Sequence, residues 1–260
     1  TGNYFNCKTR LEKVKTIFTM PKKFITAAKT YLSEIKFDLI IAHTPFVSSR
    51  KIILPLKQYF NCPAHLILWD IFPQNAWDIG IIRNRLLFNF FKSAEIKMLQ
   101  SYDNIWCMSD GNVEYIKKNY PELKNIAIER LYNSAKIKPL PNINRKAVRQ
   151  QFGYTDEDVI ALFGGNMGVP QRLENILELA KRVQLPRDDY ENITVAADIG
   201  LVSLDQRFTV PNFPSKTTDY FKLQLPILAS LDSCAAQDYG YFLTDIAKAG
   251  RFALAGDSEE

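Results

Sequence analysis

Histidine and cysteine are scarce in this chain, with two of the first and four of the second among 260 residues. Cys7, Cys62, Cys107 and Cys234 never fall in C-x-x-C spacing, and no His/Cys cluster has metal-ligand spacing, which excludes a zinc ribbon or a disulfide framework. No apolar run reaches the length of a membrane helix, and no stretch reads as a secretory signal. These absences predict a cytoplasmic protein with reduced thiols, Cys107 being buried in the run IWCMS. Neither G-x-G-x-x-G nor G-x-x-x-x-G-K-[ST] occurs, so the dinucleotide fingerprint and the P-loop are both excluded.

Acidic residues are sparse at one end. The first sixty residues carry Lys8, Arg10, Lys13, Lys15, Lys22, Lys23, Lys29, Lys36, Arg50, Lys51 and Lys57 against Glu12, Glu34 and Asp38, although the net charge is only +5. Interleaved with Phe18, Phe24, Ile25 and Tyr31, these cations suit either an anionic membrane surface or a solvated helix face. No nucleic-acid module or aromatic RNA platform accompanies them, so nucleic acid is not an expected partner.

At 47% hydrophobic residues, the chain can bury one or two substantial cores. Asp38 to Ala42, Leu66 to Trp69 and Ile105 to Met108 read as strands that end in polar residues and lead into helical patterns. Residues 84–100 form a long helix whose stripe Leu87, Phe91, Ala94 and Met98 faces the core. Residues 133–149, with Pro139 and Pro141, read as a hinge between an N-terminal domain over 1–149 and a C-terminal domain over 150–260. Asp156 and Asp158 form a D-x-D before the first strand of the second domain, where surface carboxylates are routine.

The stretch VIALFGGNMGVPQRLENILELA, residues 159–180, is the most informative. Five apolar residues of strand length, expected to be covered on both faces, break into Gly164, Gly165 and Gly168 and then into an amphipathic helix with Pro170 in its first turn. Glycines let the backbone turn tightly and approach a ligand, and a helix start offers free amides and a positive dipole to a phosphate. A plain strand-to-helix connection has the same signature. From Ala197 a second stretch follows, ADIGLVSLDQRFTVPNFPSKTTDYFKLQLPILAS, as strand, loop, helix and strand.

Together these two stretches resemble the C-terminal domain of the family-4 retaining glycosyltransferases, in particular members that build bacterial capsule, O-antigen or exopolysaccharide. FDLIIAHTPF, LILWDIFPQNAWDIGII, IWCMSDGNVEYIKKNYP and LYNS resemble the strand ends and hinge of the acceptor domain in the same order. The resemblance implies an α/β chain of the GT-B type, two Rossmann-like lobes facing a cleft, each represented in part. It also implies that a β-α-β unit precedes Thr1, that a strand, helix and strand are missing between Val183 and Leu185, so that Gln184 and Leu185 are not true neighbours, and that closing helices follow Asp257.

Ligands of open α/β sheets gather outside the carboxyl ends of the strands, so polar residues there carry the chemistry. By resemblance, His43 lines the sugar site; a capping or core role is the alternative. His65 begins its strand and reads as structural. Asp70 either orients an acceptor hydroxyl or caps a helix, with Asp78 a weaker candidate in the same loop. The donor-binding positions are Gly165, Asn166, Met167, Gly168, Gln171, Arg172, Arg207, Phe213, Ser215 and Asp219. Several matches depart from the family. Its paired glutamates fall on Pro211 and Asp219, and its phosphate-binding arginine and lysine fall on Asn166 and Gln171. A leaving diphosphate still needs a cation. Lys216 is the first candidate and is counted with the catalytic group, Arg172 the second and Arg207 the third; an exposed charge is the alternative for each. The amides of Phe213, Ser215 and Lys216 fall where the loop would meet sugar and pyrophosphate, and Glu174 falls within reach of the ribose or base.

The implied reaction transfers a sugar from a nucleotide diphosphate donor, a UDP sugar, to a lipid-linked saccharide with retention, and the departing phosphate takes the acceptor proton. That route needs no glycosidase-like carboxylate pair, no metal and no other cofactor, and it places the enzyme at the inner face of the plasma membrane. Two other classes stay open: a non-hydrolysing nucleotide-sugar epimerase, which would need dense cleft carboxylates, and a binding subunit that has lost catalysis.

Overall fold

A computed structural model of the chain describes residues 9–43, 47–136, 143–165, 168–177 and 193–256. It divides into two compact α/β units, Thr1–Leu131 and Tyr132–Glu260. The first contains α1 (Arg10–Tyr31), β1 (Ile40–His43), α2 (Arg50–Phe60), β2 (Ala64–Leu68), α3 (Gln74–Asp78), α4 (Arg85–Leu99), β3 (Asn104–Cys107), α5 (Asp110–Asn119) and β4 (Ala127–Arg130). Its four strands are parallel in the order β1-β2-β3-β4.

Alternation along the strands gives this sheet two unlike faces. The row Ala42, Leu66, Ile105 and Ile128 runs across all four strands, and Leu66, Ile105 and Ile128 are buried. On the opposite face the row Ile41, His65, Asn104 and Ala127 is only half covered, with Ile41 58% exposed. β4 carries a single buried residue, Ile128, so it has no apolar run for sequence reading to find.

Helices α4 and α5 start where a side chain replaces a missing backbone acceptor. Asn84 Oδ1 accepts from Leu87 N at 3.1 Å, and Ser109 Oγ accepts from Asn112 N at 3.2 Å. The buried stripe of α4 is Phe88, Glu95, Met98 and Leu99, whereas Leu87 is exposed and Phe91 and Ala94 are half-buried. The predicted stripe is therefore rotated: a glutamate occupies the core position where an aliphatic residue was expected. Tyr120 Oη donates to Glu95 Oε2 at 2.7 Å, and Lys92 Nζ lies 3.4 Å from the same oxygen and 3.3 Å from the Tyr120 ring centroid. Burial pushes the Glu95 carboxyl up to about 7 and the Lys92 amine down.

The second unit contains α6 (Arg145–Gln151), β5 (Ala161–Phe163), α7 (Glu174–Leu177), β6 (Ile199–Ser203), α8 (Thr217–Lys222), β7 (Ile227–Leu231), helical turns wound largely as π-helix over 233–246, and β8 (Gly250–Leu254). Its sheet is again parallel in chain order, β5-β6-β7-β8. Val202, Ala229, Leu231, Tyr239 and Leu243 form its core. A Cβ on Gly250 would stand 2.2 Å from Ile227 O, so only glycine fits between those strands.

Residues 145–149 belong to this unit rather than to a hinge. Arg149, 4% exposed, reaches Asp198 Oδ2 at 2.5 Å, Ala196 O at 3.2 Å, and the carbonyls of Thr155 and Asp158 at 3.1 Å each. Arg145 bonds the other Asp198 oxygen and Ala197 O. A buried guanidinium needs such acceptors, and its partners fix α6 on the approach to β6. The division accordingly falls after Leu131 instead of after Arg149. Residues 184 and 185, Pro139 and Pro141 lie outside the described residues.

Candidate functional site

The glycine loop leaves the carboxyl end of β5, the outermost strand of its sheet among the described residues, with Ala161 exposed and Leu162 and Phe163 half-buried. This corrects the expectation of a strand covered on both faces. The loop does not open directly into a helix either. Gly165 adopts φ +121°, a 3-10 turn spans Val169–Gln171, Arg172 takes a left-handed φ of 34°, and α7 begins only at Glu174. Pro170 lies in the 3-10 turn. Gln171 Oε1 accepts from Gly168 N at 3.1 Å, so Gln171 itself occupies one of the loop amides.

Lys216 lies over the same loop. Its Nζ is 3.5 Å from the centroid of the Phe163 ring and 3.7 Å from where a Cβ on Gly165 would stand. A Cβ at position 165 would touch the amine at ordinary contact distance, and the φ of +121° is what reserves the position for glycine. Among the described residues the amine has no carboxylate partner, and desolvation alone pulls its pKa down to about 7. The ring face attracts a cation. Thr217 N donates to Pro214 O at 3.2 Å and closes the turn before α8. Inside that turn the amides of Ser215 and Lys216 donate to no acceptor among the described residues. The site thus presents one ammonium and two backbone donors beside a glycine turn, a set suited to phosphate oxygens.

The other candidate cations are differently placed. Arg207 is committed to Asp205: its Nε and Nη2 reach the two carboxylate oxygens at 2.9 and 2.6 Å, and its amide reaches Oδ1 at 3.0 Å. Asp205 is fully buried, and the Arg207 guanidinium holds its carboxyl below the usual range. Arg172 directs Nη1 to Gln206 Oε1 at 3.2 Å, with the Gln206 amide turned to donate to Ala255 O. Asp219 is exposed and paired with Lys222 at 2.8 Å on the outer side of α8. The Phe213 side chain is 8% exposed and packs against Tyr132, Tyr239 and Phe242, so only its backbone is available for a ligand. Asn166 and Met167 lie outside the described residues.

Two residues without a sequence signal complete the site. Gly164 N donates to Tyr220 Oη at 2.9 Å, and the same hydroxyl lies 3.1 Å from Leu162 O and 3.0 Å from Leu201 O. The Tyr220 ring lies flush on β6 because position 200 is glycine; a Cβ there would stand 2.6 Å from the ring. Tyr220 lies one helical turn beyond Lys216, but nothing in the sequence pairs it with Gly200.

In the first unit His43, the last residue of β1, stacks on Trp69 with centroids 4.6 Å apart. Asp70 follows Trp69 at the carboxyl end of β2. Its residue surface is exposed, yet crowding by protein atoms raises its carboxyl above the usual range. Asp78 accepts from Gln74 Nε2 at 2.7 Å within α3. His65 packs edge-on against Trp106, in keeping with a structural role. The D-x-D is used locally: Asp158 accepts from Thr155 N and Oγ1, and Asp156 pairs with Lys146.

No protein-family model and no curated protein matches the chain. It is similar to a solved structure, the Candida albicans trehalose-6-phosphate phosphatase N-terminal domain, with TM-score 0.60 and 11% identity, over 98% of this chain and 66% of that one. The likeness shows an α/β fold. It carries nothing about glycosyltransferase family 4, and the chain spans less than two thirds of the length of that structure. An apolar groove of about 740 Å³ lies at the amino ends of β6, β7 and β8, lined by Ile199, Leu225, Pro226, Ile227 and Leu228, at the other end of the strands from the glycine loop.

Proposed function

We propose that this chain is a retaining glycosyltransferase of the GT-B type, related to family 4, which binds a nucleotide diphosphate sugar through its second unit. The observation that carries the reading is Lys216: a desolvated ammonium with no carboxylate partner among the described residues, held on Phe163 above Gly165. A half-buried, desolvated charge without a countercharge destabilises a protein, so a role for an anionic ligand accounts for its presence. The β-phosphate of a donor such as a UDP sugar supplies that anion, and the amides of Ser215 and Lys216 take its remaining oxygens. Asp219 is the residue for the ribose diol, once released from Lys222. On the acceptor unit, His43 and Asp70 are assigned to the sugar and acceptor hydroxyls.

The acceptor in this reading is a lipid-linked saccharide in bacterial surface polysaccharide assembly, reached from the cytoplasmic side of the membrane. Among the described residues no helix is long and apolar enough to cross a membrane. Exposed Phe24 and Tyr31 beside exposed Lys22 and Lys23 on α1 support peripheral contact with anionic lipid.

A second reading, a binding subunit without turnover, is favoured by the loss of Arg207 to Asp205 and of the first family glutamate to Pro211. Nucleotide release separates the two. The intact protein and its Lys216→Ala variant are incubated with UDP, GDP and dTDP sugars, with and without a lipid-linked acceptor. Acceptor-dependent release from one donor, lost in the variant, is the expected result; nucleotide binding without release from any donor overturns the transferase reading in favour of the subunit.

A further inference from the structure

The segment from Lys216 to Tyr220 touches three consecutive residues of the opposite loop from two directions. Lys216 Nζ lies on the Phe163 ring and beside Gly165, while Tyr220 Oη takes the amide of Gly164 between them. A tyrosine hydroxyl has one proton and can accept as well as donate. Here it accepts from Gly164 and donates to Leu162 O or Leu201 O, the carbonyls of adjacent strands β5 and β6. The ring has no freedom to tilt, because it lies on Gly200, where even a methyl group would overlap it. Tyr220 is fully buried and Gly164 is buried. The end of β5, the start of its loop and the cation are therefore tied together through one phenol.

We propose that Tyr220 is a positioning residue of the donor site, its hydroxyl fixing the glycine loop and Lys216 at the separation at which both engage one diphosphate. This rests on the donor-site reading above. Without the hydroxyl, Gly164 N loses its acceptor and the loop is free to lift from Lys216, which lets water reach the amine. The nearest other charges on the helix, Asp219 and Lys222, pair with each other on its exposed side and do not substitute.

The test compares the wild-type chain with Tyr220→Phe, which keeps the ring, and Gly200→Ala, which displaces the ring while keeping the hydroxyl. UDP affinity is measured by calorimetry, and the Lys216 amine is titrated by NMR in protein labelled with 13C-lysine. Both variants should bind UDP about three- to tenfold more weakly, the worth of one hydrogen bond. In both, the Lys216 midpoint should rise from about 7 toward the value of a free lysine, about 10.4. Thermal stability reports folding separately, and the titration is read only on protein that melts cooperatively. Unchanged UDP affinity together with an unchanged Lys216 midpoint in Tyr220→Phe overturns the proposal. Failure of the wild type to bind UDP, GDP or dTDP sinks the donor reading, and the positioning role falls with it; binding by the wild type with an unaffected Tyr220→Phe sinks the positioning role alone.

Discussion

Replacing Lys216 by methionine should make the protein more stable at low pH while abolishing donor binding. The amine titrates at about 7 in the fold, against 10.5 for the ordinary side chain. That difference of about 3.5 units, at 1.36 kcal/mol each, sets a ceiling of roughly 4.8 kcal/mol on the cost of holding the charge. Lys216 is only half-buried, and its contact with the Phe163 ring returns about 0.5–1 kcal/mol, so a net cost of about 1–3 kcal/mol is expected. The sign follows from proton binding. Between pH 7 and 10.5 the unfolded lysine holds its proton more tightly than the folded one, so stability rises with pH across that window and is lost as pH falls through 7. Lys216→Met removes the dependence. The variant should exceed the wild type by about 1–3 kcal/mol at pH 6, and the gap should shrink steadily toward pH 10. Trp69, Trp77 and Trp106, the three tryptophans, all lie in the first unit, so fluorescence will not follow this change. Hydrogen exchange of peptides from the second unit, in a urea series at pH 6, 8 and 9.5, will. A gap that stays constant with pH, or a variant less stable than the wild type at pH 6, refutes the reasoning, because it means the amine is solvated and exacts no cost that a ligand could relieve.

Three further outcomes are expected. With Lys92 and Tyr120 already beside it, the Glu95 carboxyl lies about 2.5 units above its ordinary 4.5, a ceiling of roughly 3.4 kcal/mol once it ionises; relaxation around the charge lowers this, and Glu95→Gln should stabilise the first unit by about 1–2 kcal/mol at pH 8 and by little at pH 5, as urea unfolding followed by tryptophan fluorescence will show. The direction follows because the raised carboxyl gives stability below pH 4.5 that is lost as pH rises through 7. Arg149→Met deletes a guanidinium that satisfies four carbonyls and Asp198, so the second unit should lose about 3–5 kcal/mol and exchange its amides first, and a loss under 1 kcal/mol contradicts the account. Cys107, fully buried and pushed up to about 12 by burial, should resist a thiol reagent at pH 8 until the first unit unfolds, whereas partly exposed Cys234 should react at once.

What the sequence made legible follows from which interactions leave a local trace. Ile40, Leu66 and Ile105 sit in apolar runs bounded by polar residues, so three strands of the first sheet can be read directly. β4 cannot, since Ile128 alone is buried on it and its partners Glu129 and Arg130 read as loop. Lys216 was singled out as a substitute for the cations missing from the family's usual positions, Asn166 and Gln171. Its environment was not legible, since Phe163 and Gly165 meet it only across the sheet. The same reason hid Tyr220, whose partners Gly164, Leu162 and Leu201 come from two strands far away in the chain. Glu95 inverted a correct helix into a misplaced stripe, because hydrophobic periodicity takes no account of a carboxylic acid kept neutral by burial. Arg145 and Arg149 read as hinge charges for want of any local sign that Asp198, some fifty residues on, would claim them.

Both sheets list their strands in chain order, and that ordering bears on how the protein comes into being. Among the described residues each strand pairs with its predecessor and successor in the chain, so the described sheets have no gap that waits for a distant strand. Such a sheet can lengthen at its newest edge as chain emerges, one β-α-β step at a time, each step closing a short loop. On a ribosome the first sheet can be complete before the second has begun, and an arrested chain ends in an open sheet edge rather than in an interior vacancy. A nascent chain halted just after β3 leaves the edge of Trp106 and Cys107 open until β4 pairs with it, and such an edge invites aggregation.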